Sequence, residues 1–234
     1  RPPRPEPKGS RACPNDVTGT RSLTTCHPMS ITTERKQTLR ARLRAQRRAI
    51  DAGTARWAAR MAAVRVMRLA AWRRARRIAV YLAADGEIDP HPLAEAAWRA
   101  GKQVHLPVIQ PPKGERGRRA ALQRGHLIFR RYDRDTPLHP GLLGIPEPAG
   151  RPHPTCSLAA IDLLIMPLVG FDEAGHRLGM GGGFYDRTLG VRGRFRRPIC
   201  LGLAHACQKQ PGIPHDSWDQ PLDICVTNRE TIFC

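Results

Sequence analysis

Apolar residues recur along the front of this chain at the spacing of one face of an α-helix. A first basic helix is predicted from residue 34 onward, with an apolar edge formed by Leu39, Leu43 and Ile50. A second helical region is predicted behind it, with an edge assigned to the core and formed by Trp57, Met61, Val64 and Trp72. Both regions precede the first run of residues typical of a β-strand.

Short, almost continuous apolar runs follow and predict buried strands, because a strand covered on both faces does not alternate with polar residues. The runs are RIAVYLA (77–83), KQVHLPVI (102–109), HLIFRRY (126–132), IDLLIMPLVGF (161–171), PICLGLAH (198–205) and DICVTN (223–228). Helices are predicted at HPLAEAAWRAG (91–101) and from Phe184, a polar connection at 113–125 and a rigid loop at 141–148. This order predicts an α/β protein: a three-layer α/β/α domain with a mostly parallel sheet, preceded by basic N-terminal helices.

The first 33 residues differ in character from the rest of the chain. They have no hydrophobic period and are rich in Pro, Gly, Ser and Thr, which is typical of disorder. We therefore expect a disordered extension over 1–33 and a single domain over 34–234. Met29 stands just before the first helical signal, and we hypothesise that it is the natural start; the intact mass of the natively expressed protein tests this.

The formal charge of +19 is concentrated at the front. Residues 1–77 carry 20 Lys/Arg against 4 Asp/Glu, and the remaining 157 residues carry 19 against 16. Such a basic segment either attracts a polyanion, such as nucleic acid or a phosphorylated ligand, or is a solvated helix surface. No apolar run approaches the roughly 20 residues that span a bilayer, so we expect a cytoplasmic protein.

The seven cysteines include no C-x-x-C pair and show no regular spacing. This pattern favours neither a zinc site nor the disulfide framework of a small secreted protein. We expect buried thiols, with Cys200 and Cys225 inside apolar strands.

The stretch RLGMGGGFYDR (177–187) places four glycines in five positions between an apolar run and a predicted helix. Consecutive backbone N–H groups at such a place can hold phosphate oxygens. Neither G-x-x-x-x-G-K-[ST] nor G-x-G-x-x-G is present, so spacing alone leaves a phosphate site and a structural turn equally open.

The longer stretch IMPLVGFDEAGHRLGMGGGFYDRTL resembles the signature of the 5-formyltetrahydrofolate cyclo-ligase family, also called 5,10-methenyltetrahydrofolate synthetases. KQTLRARLRAQR, VYLAADGEID, GKQVHLPVI, GIPEP and SWDQPLD resemble further family segments and stand in family order. The resemblance covers about Lys36 to Thr227. The chain departs from it at Gly182, where many relatives carry lysine, and at Phe184, where they carry tyrosine; another cation, such as Arg177, is expected to compensate for the lysine.

The resemblance implies a ligase that uses ATP and Mg²⁺ to close 5-formyltetrahydrofolate, with or without a polyglutamate tail, to 5,10-methenyltetrahydrofolate. It implies phosphorylation of the formyl oxygen and attack by N10, with no catalytic side chain separate from the binding residues. The implied ATP-binding residues are Lys36, Arg40, Arg177, Leu178, Gly179, Met180, Gly181, Gly182, Gly183, Phe184 and Tyr185. The implied folate-binding residues are Leu82, Glu87, Met180, Gly181, Gly182, Gly183 and Phe184, and the implied metal ligands are Asp186 and Asp219.

Two alternatives remain at this point. The first is a nucleic-acid-binding protein that uses the basic helices of residues 35–77, although no RNA- or DNA-recognition module accompanies them. The second is a non-catalytic folate-binding relative. We expect a monomer with no membrane association and no specific nucleic-acid partner.

Overall fold

The computed structural model describes residues 31–148, 155–190 and 198–234. The disorder predicted for the first 33 residues therefore falls mostly outside the described residues. The predicted boundary at residue 34 was too late, because the first helix already begins at Ile31.

Six helices are described, and three of them lie at the front of the chain. Their bounds are α1 Ile31–Arg48, α2 Ala52–Arg68, α3 Ala70–Arg74, α4 His91–Arg99, α5 Arg118–Arg124 and α6 Phe184–Leu189. Asp51 caps α2 by accepting a hydrogen bond from the Thr54 backbone N–H at 2.9 Å. Helix α5 lies within the stretch that was predicted as a polar connection, and that prediction was wrong.

The core-facing edge predicted for the second helix was also wrong. Trp57 is 52% exposed and Val64 is 36% exposed, whereas Trp72, which belongs to α3, is buried. Helix α2 instead buries Ala58, Ala59, Ala62, Ala63 and Val66, which share the opposite face. These small side chains let the helix pack closely against the sheet and α4. Close packing therefore decided which face of α2 is buried, although the larger apolar side chains lie on the other face.

Twelve strands are described, eight of them in one sheet. Their bounds are β1 Arg77–Ala79, β2 Gln103–Gln110, β3 His126–Arg131, β4 Leu138–Pro140, β5 Pro146–Pro148, β6 Thr155–Cys156, β7 Leu163–Pro167, β8 Gly170–Phe171, β9 Arg177–Leu178, β10 Ile199–Ala204, β11 Ile224–Thr227 and β12 Thr231–Phe233. The large sheet has the order β12-β11-β10-β7-β1-β2-β3-β6. The five strands from β11 to β2 are parallel, and the strands at both edges are antiparallel. The predicted α/β fold with a mostly parallel sheet is confirmed.

Side chains on successive positions of the central strands enter different cores. Leu163 and Ile165 of β7 pack with α2, α3 and α4, whereas Leu164 and Met166 pack with α6 on the other face. This alternation follows from the two-residue repeat of a strand, and burial on both faces explains the continuous apolar runs. Cys200 and Cys225 are fully buried on the α6 face, as predicted from their apolar runs. Cys207 and Cys234 are exposed, so the expectation of buried thiols was wrong for these two residues.

Helix α1 lies apart from both layers and is anchored by Leu43, which packs with Val169, Leu178 and Ile213. These partners lie beyond the carboxyl ends of the parallel strands, the edge where ligands of open α/β sheets bind. Among the helices of the described ranges, none is long and apolar enough to cross a membrane.

Candidate active site

The glycine stretch forms a tight loop between β9 and α6. Gly181 and Gly183 have φ angles of +97° and +65°, in the left-handed region that side chains disfavour. A Cβ on Gly181 would be in ordinary van der Waals contact with Arg40, 3.8 Å from its Cζ atom. Because α6 has only six residues, its dipole is a weak source of positive potential, and backbone N–H groups and cations must carry any attraction for phosphate.

Helix α1 brings Lys36 and Arg40 to this loop. The Lys36 Nζ atom lies 2.6 Å from Oδ2 of Asp216 and 2.6 Å from Oδ2 of Asp219. Arg40 Nε donates to the Gly179 carbonyl oxygen at 2.8 Å. Burial disfavours the charge on Lys36, but the two carboxylates outweigh it and raise the pKa of Lys36. Lys36 is therefore a charged group held in place by residues about 180 positions away.

Arg177 and Asp186 form a second ion pair across the loop. Arg177 Nη2 donates to Asp186 Oδ1 at 2.6 Å, and the Gln220 backbone N–H donates to the same oxygen at 3.0 Å. The Arg177 side chain is only 5% exposed, so Asp186 neutralises a nearly buried charge. Asp186 therefore has a structural role in addition to the metal-binding role that the resemblance implies.

Glu87 lines the cavity from the segment that follows β1. Its Oε2 atom accepts from the Ala84 backbone N–H at 3.1 Å, and its Oε1 atom lies 3.7 Å from Arg47 Nη2. Burial raises the pKa of Glu87, while the Ala84 hydrogen bond and the Arg47 charge oppose that change. Such a carboxylate gains most from a ligand that donates hydrogen bonds to it.

Arg47 connects helix α1 to the segment that carries Asp85 and Glu87. It was not among the residues predicted from the sequence. Its guanidinium donates to the Asp85 carbonyl oxygen at 2.8 Å, to Asp85 Oδ2 at 2.8 Å and to the Leu168 carbonyl oxygen at 3.1 Å. Asp85 has a left-handed φ of +52° and also pairs with Arg44 and Arg48. One signal was available: Arg47 falls four residues after Leu43, on the apolar edge of α1, where a charged residue must find buried partners.

We expect Arg47→Met to lower the free energy of unfolding by about 3 kcal/mol, because it breaks a buried ion pair and leaves the Leu168 oxygen without this donor. Arg44→Met is the matched control, since Arg44 binds the same carboxylate but is 34% exposed on its side chain. The control should cost at most about 1 kcal/mol. Urea unfolding of both variants measures the difference, and equal midpoints would contradict this role for Arg47.

All the residues that the resemblance assigns to ATP, folate and metal line one cavity of about 750 Å³. They come from α1, the end of β1, the glycine loop, α6 and the loop before β11. The lining also includes residues that were not predicted, among them Tyr81, Leu127, Arg187, Asp216 and Trp218. The volume lies within the range of about 300–1,000 Å³ for small-molecule sites.

The cavity lining has more carboxylates than cations, in contrast to the chain as a whole. Its cations are Lys36, Arg40, Arg177 and Arg187, and its carboxylates are Glu87, Glu147, Asp186, Asp216 and Asp219. Within the described residues, no group of three or more His, Cys, Asp or Glu side chains is placed to hold a metal ion.

Solved structures of similar fold include two 5,10-methenyltetrahydrofolate synthetases. The chain superposes on the NMR structure of 5,10-methenyltetrahydrofolate synthetase from Aquifex aeolicus with a TM-score of 0.68 at 27% identity, covering 85% of this chain and 92% of the other. A 5,10-methenyltetrahydrofolate synthetase from Mycoplasma pneumoniae gives a TM-score of 0.62 at 21% identity, covering 82% and 98%, and supports the fold alone.

Sequence relatives agree with the structures. The chain is 40% identical over 186 residues to 5-formyltetrahydrofolate cyclo-ligase of Escherichia coli (strain K12), covering 79% of this chain and 96% of the relative. It is 36% identical over 197 residues to the Haemophilus influenzae enzyme of that name, covering 84% and 100%. The sequence profile of the 5-formyltetrahydrofolate cyclo-ligase family matches residues 32–228. The fold, the cavity and these similarities together show that the chain belongs to the 5-formyltetrahydrofolate cyclo-ligase family of enzymes.

Proposed function

We propose that this protein converts 5-formyltetrahydrofolate and ATP to 5,10-methenyltetrahydrofolate, ADP and phosphate. The observation that carries the proposal is that the residues assigned to nucleotide and to folate line the same cavity. The formyl oxygen attacks the γ-phosphorus and ADP leaves. N10 then attacks the activated formyl carbon and loses its proton, and phosphate leaves with the formyl oxygen. This proposed ring closure uses no nucleophile from the protein.

The cations at the glycine loop suit the nucleotide. Phosphoryl transfer depends mainly on positioning and on neutralising charge, which backbone N–H groups and fixed cations supply. Lys36, Arg40 and Arg177 are each held by hydrogen bonds to the protein before any ligand binds. Pre-oriented cations lose little conformational entropy on binding, so residues 177–185 together with Lys36 and Arg40 form our proposed ATP site.

The folate is proposed to bind at the β1 end of the cavity. Glu87 can accept hydrogen bonds from the pterin amino group and the adjacent ring N–H, and Leu82 offers apolar contact. The residues from Met180 to Phe184 would then contact the formyl end of the folate and the terminal phosphate together. This placement explains the glycines, because a side chain at these positions would occupy the space in which the two substrates meet.

The donor set also fits Mg²⁺, a hard cation that uses one or two carboxylates and phosphate oxygens. Five carboxylates face four cations in the lining, so a nucleotide brings more negative charge to an already acidic cavity. Asp186 and Asp219 would hold the ion, and it would neutralise charge on the phosphates when bound. The Asp219 carboxylate would then bind both the metal ion and Lys36, because Lys36 contacts it in the structure.

The alternative of a nucleic-acid interface on residues 35–77 loses support at α1. Lys36, Arg40, Arg44 and Arg47 use their charges within the protein, at the cavity or at Asp85. The cavity and the attachment of α1 to the rest of the protein therefore account for the positive charges of these four residues.

The test is an absorbance assay for methenyltetrahydrofolate with 5-formyltetrahydrofolate as substrate. We expect product only when both ATP and Mg²⁺ are present, with one ADP released for each methenyl group formed. Folded protein that binds 5-formyltetrahydrofolate but forms no product at saturating ATP and Mg²⁺ would instead be the non-catalytic relative.

A further inference from the structure

Arg187 places a guanidinium group between the glycine loop and the start of β3. Its Nε atom donates to the Gly125 carbonyl oxygen at 2.8 Å, and its Cζ atom lies 4.9 Å from the centre of the Phe184 ring. The next residue, Thr188, accepts a hydrogen bond from the Leu127 backbone N–H at 2.8 Å, which fixes α6 against β3. The side chain is therefore held in place while it lines the cavity.

Arg187 forms no ion pair with a carboxylate of the described residues, unlike Lys36 and Arg177, and the charge of the neighbouring Asp186 acts on it only over a longer distance. Its Nη2 atom is buried and makes no hydrogen bond within that part of the chain. Arg177 also has an unpartnered nitrogen, Nε, but its Nη2 is paired with Asp186. A buried guanidinium nitrogen without an acceptor is costly, and an oxyanion beside the accessible part of the same group would neutralise its charge.

Nη1 of the same group points to the end of the glycine loop. It lies 2.7 Å from the position that a Cβ on Gly183 would occupy. A side chain at residue 183 would collide with it, so glycine at this position lets the guanidinium approach the loop backbone. Anything held by the N–H groups at the end of the loop would lie near this charge.

We propose that Arg187 contacts a phosphate oxyanion of the nucleotide held at the glycine loop. Arg177 was expected to supply the charge there, but its Nη2 is already paired with Asp186, which leaves less of its charge for a phosphate. The proposal rests on the proposed function in one respect: it takes the anion at the glycine loop to be a nucleotide phosphate. The glutamate carboxylate of the folate is the other oxyanion available to the cavity, and the experiment separates the two.

The experiment measures the Kd of the non-hydrolysable β,γ-imido analogue of ATP with Mg²⁺, by calorimetry, for Arg187→Met and for the intact protein. Methionine keeps an unbranched chain beside Phe184 and removes the charge. We expect the Kd to rise about 10- to 100-fold, the range for a lost hydrogen bond to a charged group. The control is Arg124→Met, which removes an exposed arginine paired with Glu115 and should leave the Kd unchanged.

Arg187→Lys keeps the positive charge and should recover part of the lost affinity, a result that a purely structural role does not predict. An unchanged Kd of the ATP analogue in a folded Arg187→Met protein would overturn the proposal. A weaker Kd for 5-formyltetrahydrofolate with unchanged binding of the ATP analogue would also overturn it and assign Arg187 to the folate carboxylate. Neither Kd requires product formation, so failure of the proposed reaction is observed separately.

Discussion

Replacing Gly181 by valine is expected to reduce turnover at least about 100-fold, while the melting temperature changes little more than in a matched control. The φ angle of +97° is one that a β-branched residue resists, so the loop must move to accommodate valine. The exposed position leaves space for the side chain itself, with Arg40 as its nearest neighbour at 3.8 Å. A displacement of about 1 Å at a site of group transfer can cost about 100-fold in rate.

Gly114→Val is the control for this prediction. Gly114 has a similar φ of +85°, has no atom within 4 Å of its Cβ position and does not line the cavity. Both variants should lose a similar amount of folding free energy, about 1–3 kcal/mol, because valine is strained at a positive φ. If Gly181→Val lowered the melting temperature far more than the control and kept normal activity per folded molecule, the glycines would form a structural turn with no role in catalysis.

Asp186→Asn is expected to show the second large effect, a loss of turnover of at least about 100-fold with a higher Mg²⁺ concentration for half-maximal rate. The structure adds a second consequence. Because Asp186 pairs with the nearly buried Arg177, the variant should also lose stability, by about 1–3 kcal/mol for a weakened hydrogen bond to a charged group. A loss of activity alone would therefore not show that Asp186 binds the metal, whereas a shift in the Mg²⁺ titration would show it.

Asp216→Asn provides the comparison, because it also weakens an ion pair of a cavity cation, Lys36, and is not assigned to the metal. We expect a shift in Mg²⁺ dependence for Asp186→Asn that exceeds any shift for Asp216→Asn by at least tenfold. Parallel Mg²⁺ curves for the two variants would assign Asp186 to the support of Arg177 alone.

Local sequence patterns predicted most of the elements of the fold. Strands buried on both faces require continuous apolar runs, so 161–171 and 198–205 identified β7 and β10 without knowledge of their neighbours. The predictions that used only side-chain size or polarity were less successful. Trp57 was assigned to the core and is exposed, and α5 was taken for a connection because its apolar face is only a few residues long.

The sequence by itself determined the fold class, the glycine loop and, through resemblance, the residues that line the cavity, because these depend on residue order and local period. Tertiary structure decided how the charges are distributed. Lys36 contacts Asp216 and Asp219, and Arg47 contacts Asp85 and Leu168, only because the folded chain brings distant segments together. Arg187 forms no ion pair in the described part of the protein, and its Nη2 atom makes no hydrogen bond there. Each of these outcomes depends on contacts between distant segments, and neither residue type nor spacing along the chain encodes which cation meets which anion.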